Sequence, residues 1–235
     1  YIMGVIMKIS SDTLALLKNF ASINSNLVVK PGSNLKTLFG GSSGPTIIVE
    51  STVAETFETE FCLFDLNKFL ATVSLFKDPD FEFGTDSVTI KGQSGSSVVY
   101  RYSDPVLVKD LAASLSKKIK PLTADFEFDL LQKDFTDLLK ASSVLQLGHL
   151  SIETNGDGVY LKLIDKKDDL CNTYSVRVGD SNGKDFRMFF KVENLKLLSG
   201  NYKVKISKNK VSEFVHQGMD LKYLVAMEHD SSWNS

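Results

Sequence analysis

The chain has 235 residues, 43% of them hydrophobic and 24% charged, with 27 basic side chains against 29 acidic ones and a formal net charge of −2. These are the proportions of an ordinary soluble globular protein, long enough for one large domain or two of about 115 residues each. Nothing in the overall charge announces a nucleic-acid binder, and no window reaches the ~18 apolar residues needed to span a bilayer.

The opening stretch YIMGVIMKIS is apolar but short and lacks a cleavage site, so it does not read as a signal peptide. Residues 1–6 read as an extension ahead of a natural start at Met7. Ser10 and Ser11 then offer N-caps for a helix through about Asn24. At 100° per residue, Leu14, Leu16, Leu17, Phe20, Ala21 and Ile23 fall on one face, with Ala15, Lys18, Asn19 and Ser22 opposite. Short β-rich runs follow: NLVVK, LKTLF, TIIVEST and FETEFCLF. Asp65 caps a second helix, LNKFLATVSLF, with Leu66, Phe69, Leu70, Val73 and Phe76 on its apolar side. Its other side carries Asn67, Lys68, Ala71 and Ser74. DFEF, SVTIK and SSVVYRYS close the first half as strands.

LSKKIKPLTA, residues 115–124, interrupts the rhythm with three lysines and a proline and reads as a connector. Beyond it the strand ADFEFD leads into the helix LLQKDFTDLLKASSVLQ, whose core stripe is Leu131, Phe135, Leu138, Leu139 and Leu145. HLSIETN and GVYLKLID meet at Asn155–Gly156–Asp157–Gly158, a hairpin-turn signal. TYSVRVG and DFRMFFK turn at Asn182–Gly183. KVENLKLLSG reads as a short fourth helix ending on a glycine cap, Gly200. The strands YKVKIS, KVSEFVH and LKYLVAME complete the chain, and Trp233 sits in a polar tail expected to be mobile. The fold class is therefore α+β: two similar domains, each of two β-α-β-β-β units, since one unit alone cannot bury both its sheet and its helix face. The divisions expected are 1–116, a connector at 117–121, and 122–235.

Catalytic signals do not accumulate. The run at 40–45, GGSSGP, lacks the Lys-Ser/Thr of a phosphate-binding loop and reads as a flexible turn. No GxSxG elbow is present, and His149, His216 and His229 stand apart without metal-ligand spacing. DSNGKD (180–185) has its glycine misplaced for a calcium loop, and DKKDD (165–169) is a solvated loop. Cys62 and Cys171 lie far apart in apolar strand-like runs and read as buried core thiols. Of the basic residues only Arg101, Arg177 and Arg187 are arginines; the rest are lysines, mobile point charges unsuited to fixed bidentate recognition.

MKISSDTLALLKNFASINS (7–25) closely resembles the amino terminus of the DNA sliding clamps of T-even-type bacteriophages, polymerase processivity factors. The end LKYLVAMEHDSS (221–232), the interior GNYKVKI (200–206), FDLNKFL (64–70) and LLKASSVLQ (138–146) resemble them in the same order. Residues 31–46 and 165–170 fall outside the likeness. The resemblance implies a DNA-clamp fold closing as a head-to-tail homotrimer, with helices on the inner face of a ring and sheets outside. It implies double-stranded DNA, a replicative polymerase, a clamp loader and further copies of the chain as partners, with transcription factors as a possible addition. It implies no cofactor, no metal and no membrane, and the cytoplasm of the infected bacterial host as the place of action.

On that reading the helix faces turned away from the sheets look into the hole, and the expected DNA-facing residues are Lys18, Lys68, Lys77, Lys133, Lys140, Lys191 and Lys196. Asp137 and Glu193 lie near the margins of those faces. Taken one helix at a time, the same lysines read more readily as a solvated surface, and the four repeats together with the resemblance reverse that weighting. The strands holding Val98, Val99 and Tyr100, and Tyr174, Val176 and Val178, resemble the edges that meet between subunits; within a monomer they would be capped or solvated edges. A partner-peptide pocket is expected from Ile119, Pro121 and Leu122 of the connector with Leu224, Ala226 and Met227, residues that otherwise read as ordinary core. The rival functions are a monomeric binding or structural protein of the same fold, and an unrecognised hydrolase.

Overall fold

The first helix starts where the sequence offers a hydroxyl. Ser10 Oγ accepts the Thr13 N–H at 3.2 Å, and α1 (Ser11–Ile23) follows, ending at Asn24. Leu16, Leu17, Phe20 and Ile23 are buried along one side, while Ala15, Lys18 and Ser22 are exposed on the other. The computed structural model describes residues 5–41, 44–115, 121–168 and 170–234. It divides into two units, Tyr1–Phe39 with Val49–Ile119, and Gly40–Ile48 with Lys120–Ser235.

In the first unit β1 (Val5–Met7) precedes α1, and β2 (Leu27–Val29), β3 (Gly32–Gly41), β4 (Gly44–Phe57) and β5 (Phe61–Leu63) follow it, except that the end of β3 from Gly40 and the start of β4 through Ile48 belong to the second unit. Then come α2 (Leu66–Val73), β6 (Asp80–Phe83), β7 (Ser87–Lys91), β8 (Ser97–Arg101) and α3 (Lys109–Leu115). The segment read as an extension supplies a strand, since Val5 and Met7 pair with Phe83 and Phe81. One antiparallel sheet has the order β1-β6-β7-β8, β2 pairs with β5, and β3 pairs with β4. α2 begins at Asp65, whose Oδ1 accepts the Lys68 N–H at 2.8 Å, and buries Leu66, Phe69 and Val73. It packs beside α1. FETEFCLF is not one strand: it breaks between β4 and β5 at residues 58–60.

α3 and the 3-10 turn before it, Pro105–Val108, lie outside the elements expected from hydrophobic spacing. The signal was present. Asp104 accepts the Val106 N–H, and Pro105 occupies the first helical position, where its missing N–H costs nothing. Val108 and Leu111 pack there against Val28 and Cys62.

The second unit holds β9 (Phe126–Leu130), α4 (Gln132–Leu145), β10 (His149–Asn155), β11 (Gly158–Ile164), β12 (Tyr174–Asp180) and β13 (Phe186–Lys191). β14 (Tyr202–Ser207), β15 (Val211–His216), β16 (Leu221–Ala226) and β17 (Ser232–Trp233) follow. One sheet runs β12-β11-β10-β13-β17, and a second contains β16-β15-β14-β9. The β10–β11 hairpin turns where Asn155 pairs Gly158, with Gly156 at φ +58°. α4 is capped from afar, the Asn201 side-chain oxygen accepting the Gln132 N–H at 2.8 Å. Phe135 and Leu138 are buried, but Leu131 is 51% exposed. Leu131 is the extended N-cap residue, out of phase with the helical stripe to which its spacing had assigned it.

The expected fourth helix is absent as an α-helix. Only a 3-10 turn forms, Val192–Asn194, closed by Leu195 at φ −90°, ψ 56°. Two phenols account for this. The Tyr223 hydroxyl accepts the Leu198 N–H at 3.0 Å, and the Tyr202 O–H donates to the Leu198 carbonyl at 2.5 Å. Both backbone groups that a helix would have used are thereby taken by buried side chains. Two further expectations are corrected. Trp233 is not loose: it pairs with Phe186 through β17 and stacks on its ring at 5.0 Å. Cys171 is not core: it lies before β12, partly exposed, its sulfur accepting the Asp165 N–H at 3.3 Å, whereas Cys62 is buried.

Candidate DNA-facing surface and docking edges

Lysines fall into two electrostatic groups. Several on strands sit beside carboxylates of neighbouring strands: Lys36 with Glu50 (3.1 Å), Lys91 with Glu82 (2.6 Å), Lys203 with Asp129 (3.1 Å) and Lys205 with Glu213 (2.9 Å). Such cross-strand pairs cancel positive charge on the sheets. Lys18 on α1 and Lys68 on α2 are exposed and make no ion pair among the described residues. The uncompensated cations of the first unit therefore include one on each of its two long helices, opposite the buried stripe.

α4 is built differently. Lys133 Nζ donates to Asp137 at 2.7 Å, and Lys140 Nζ lies 3.9 Å from the same carboxylate. Hydrogen bonding to Asp137 holds the Lys133 ammonium above its ordinary pKa, and the same bond holds the Asp137 carboxyl below its own. The stripe thus carries two cations and one anion, at spacings of four and three residues that place all three on one helical face. Asp137 belongs to that face, not to its margin.

The remaining three expected lysines are not on α-helices. Lys77 lies beyond the end of α2. Lys191 is the last residue of β13, 3.9 Å from Glu193, and Lys196 follows the 3-10 turn, exposed. The loss of the fourth helix removes the reason for grouping these two with Lys18 and Lys68.

β8 and β12 are each the outermost strand of their own sheet. Along β8, half-buried Val98 and Tyr100 alternate with exposed Ser97, Val99 and Arg101, and Val99 is 56% exposed. The Tyr100 ring meets Phe69 of α2 edge-on at 5.3 Å, and its hydroxyl donates to the Asp65 carbonyl at 3.2 Å. Along β12, half-buried Tyr174, Val176 and Val178 alternate with exposed Ser175 and Arg177. An outer strand leaves a row of backbone N–H and C=O groups open to a partner strand.

The residues expected in the peptide pocket from the end of the chain divide between two faces of β16. Along β16 the alternation buries Leu221, Tyr223 and Val225 and continues to Met227, which is 8% exposed; Leu224 and Ala226 point the other way and are half-buried. Pro121 is exposed and Leu122 half-buried, while Ile119 lies outside the described residues. No group of three His, Cys, Asp or Glu side chains among the described residues is placed to hold a metal ion, and no described helix is long and apolar enough to cross a membrane.

Solved structures share this architecture over nearly the whole chain. A chain from the structure of A. fulgidus PCNA with a bound C-terminal region of FEN-1 superposes with a TM-score of 0.70 at 12% identity, covering 98% of this chain and 100% of that one. The H. pylori Beta clamp superposes at 0.69 with 11% identity, over 97% of this chain and 66% of that one. At such identities the likeness is one of fold, and the fold is the DNA-clamp fold. Sequence carries it further. Residues 127–229 match the family model described as "gp45 sliding clamp, C terminal". The Sliding clamp of Escherichia phage RB69 is 32% identical over 234 residues, 96% of this chain and 99% of that protein. That of Enterobacteria phage T4 is 29% identical over 232 residues, and that of Vibrio phage KVP40 28% over 225. The chain belongs to the sliding-clamp family of T4-type phages. It is a processivity factor of phage DNA replication and not an enzyme.

Proposed function

We propose that three copies of this chain close head to tail into a ring around duplex DNA in the cytoplasm of the infected bacterium, tethering the replicative polymerase. The observation carrying this reading is the division of the lysines. Lys36, Lys91, Lys203 and Lys205 on the sheets are cancelled across strands, whereas Lys18 and Lys68 on helix faces make no ion pair among the described residues. A protein that slides needs attraction without register, and flexible ammonium groups contact phosphates without reading bases. Lys18, Lys68, Lys133 and Lys140 are the residues we assign to the DNA, with Lys77, Lys191 and Lys196 as peripheral cations. β8 of one subunit would add to β12 of the next, covering both open edges with Val98, Val99 and Tyr100 against Tyr174, Val176 and Val178. The two domains would meet at the connector 117–121, and Pro121, Leu122, Leu224 and Ala226 remain the proposed seat of partner peptides from polymerase, clamp loader and transcription factors.

Mass photometry tests the assembly: particles of about three times the 26.0 kDa chain are expected at micromolar concentration. Protein loaded on a nicked circle should persist and then be lost when the circle is cut, because topology rather than affinity retains it. Single-chain particles alone, or equal retention on circular and linear DNA, would refute the ring.

A further inference from the structure

The five-stranded sheet of the second unit ends in β12 on one side; on the other, the chain's own tail lies along β13. Its strand pairing joins Trp233 with Phe186 and Ser232 with Arg187, and just beyond it the Asn234 N–H donates to the Asp185 carbonyl at 2.9 Å. Further along, the ladder becomes irregular. Glu228 N–H donates to the Phe189 carbonyl at 2.8 Å, but the Phe189 N–H is met by the Ser231 hydroxyl at 2.9 Å in place of a backbone carbonyl. The Trp233 indole lies nearly flat on buried Phe186, their planes 8° apart, and Phe186 in turn packs on Phe126 at 5.1 Å.

Two carboxylates ahead of that indole are held by one ammonium. Lys166 Nζ lies 3.2 Å from Glu228 and 2.5 Å from Asp230. Lys166 and Arg187 both sit over the Phe189 ring, at 4.5 and 5.0 Å, beside a cleft of about 280 Å³ that Asp230 helps to line. The tail therefore displays what this edge accepts: an extended segment with acidic residues three and five positions before an aromatic.

We propose that the outer edge of β13 is a docking edge for an extended partner peptide of that chemistry, acidic residues preceding an aromatic, and that the tail is its resident, displaceable occupant. A partner strand running regularly from Phe186 to Phe189 would supply the backbone carbonyl that Ser231 replaces with a hydroxyl. It would take over the stack on Phe186 and the two contacts to Lys166, so displacement exchanges like for like and gains ladder. The proposal does not depend on ring closure, because every group it uses lies in one unit of one chain.

Trp233 is the sole tryptophan, so its emission reports the tail directly. The probe is a synthetic peptide of residues 228–235 carrying phenylalanine at the tryptophan position. Added to the full chain, it should shift Trp233 emission to the red saturably. A labelled copy should bind at least tenfold more tightly to Trp233→Ala, and to a chain lacking residues 228–235, than to the unmodified protein. Replacing the peptide's aromatic by alanine, or both acids by serine, should weaken binding at least tenfold. Absence of saturable binding to a folded Trp233→Ala protein would overturn the proposal, whether or not the shortened chain folds. So would Trp233 emission that stays fixed at peptide concentrations saturating Trp233→Ala.

Discussion

Asp137 gives the sharpest test of the proposed DNA-facing surface, because its one negative charge lies against two cations assigned the same role, Lys133 and Lys140. In the native stripe Lys133 is engaged at 2.7 Å and Lys140 only loosely at 3.9 Å, so the three charges sum to about one available cation per subunit. Asp137→Asn removes the anion while keeping shape and polarity, and raises the stripe to two cations. Each phosphate neutralised adds about 0.9 to the slope of log affinity against log salt, or about a three- to fourfold loss of affinity between 50 and 200 mM. The substitution should therefore tighten binding of a short labelled duplex at low salt and steepen its salt slope by up to about 0.9 per subunit in contact. Lys133→Glu with Lys140→Glu takes the stripe the other way, to three anions, and should abolish that binding and impair processivity with the trimer intact. Fluorescence anisotropy across a salt series reads the first effect, and primer extension on a long template reads the second. If Asp137→Asn leaves the slope unchanged and the double reversal leaves processivity unchanged, α4 does not face DNA.

Two further outcomes follow from buried polar groups. Glu55, 8% exposed, accepts the Ser10 N–H at 2.5 Å and the Thr13 hydroxyl at 2.6 Å, tying down the start of α1. Burial works to raise its pKa, but those hydrogen bonds prevail and hold it below the ordinary 4.5. Because the folded value is depressed, its stabilisation is present above pH 4.5 and is lost as pH falls through the folded value. Glu55→Gln should lower stability by about 2 kcal/mol at neutral pH, or about 4–8 °C in melting temperature, with the gap to the unmodified protein closing in acid; a gap constant with pH would show that the charge is irrelevant. Tyr202→Phe removes the donor to the Leu198 carbonyl and should cost about 1 kcal/mol. Hydrogen exchange should quicken across residues 195–200, and unchanged exchange there would contradict the account of the broken fourth helix.

Where the sequence was legible, the signal was local and repeated. Ser10 and Asp65 marked helix starts that the structure realises with their own side-chain oxygens, and alternation in YKVKIS and LKYLVAME located β14 and β16 to within a residue or two. Where it failed, the deciding group lay outside the segment being read. KVENLKLLSG has acceptable helical spacing, and nothing inside it reveals that Tyr202 and Tyr223 claim the backbone of Leu198. α4 shows the converse, since its cap is supplied by Asn201, 69 residues away, where Leu131 offers none. Trp233 looked unanchored in SSWNS because its anchor, Phe186, lies in β13.

The functional surface divides along the same line. That helix lysines oppose an apolar stripe is a property of spacing, and Lys18, Lys68, Lys133 and Lys140 could be listed from it. Which of those charges remain available is a property of partners. The i,i+4 relation of Lys133 to Asp137 was within reach of spacing, whereas the cancellation of Lys203 by Asp129 and of Lys205 by Glu213 depends on strand register that only the folded sheet defines. An acidic protein presents a basic surface more readily where lysines elsewhere are neutralised, and Lys36, Lys91, Lys203 and Lys205 are so neutralised on the sheets. On the proposed reading the sheet pairs lie away from DNA, so Asp129→Asn with Glu213→Gln, which releases cations on the sheets, should raise nonspecific, topology-independent DNA binding while leaving retention on a closed circle unchanged.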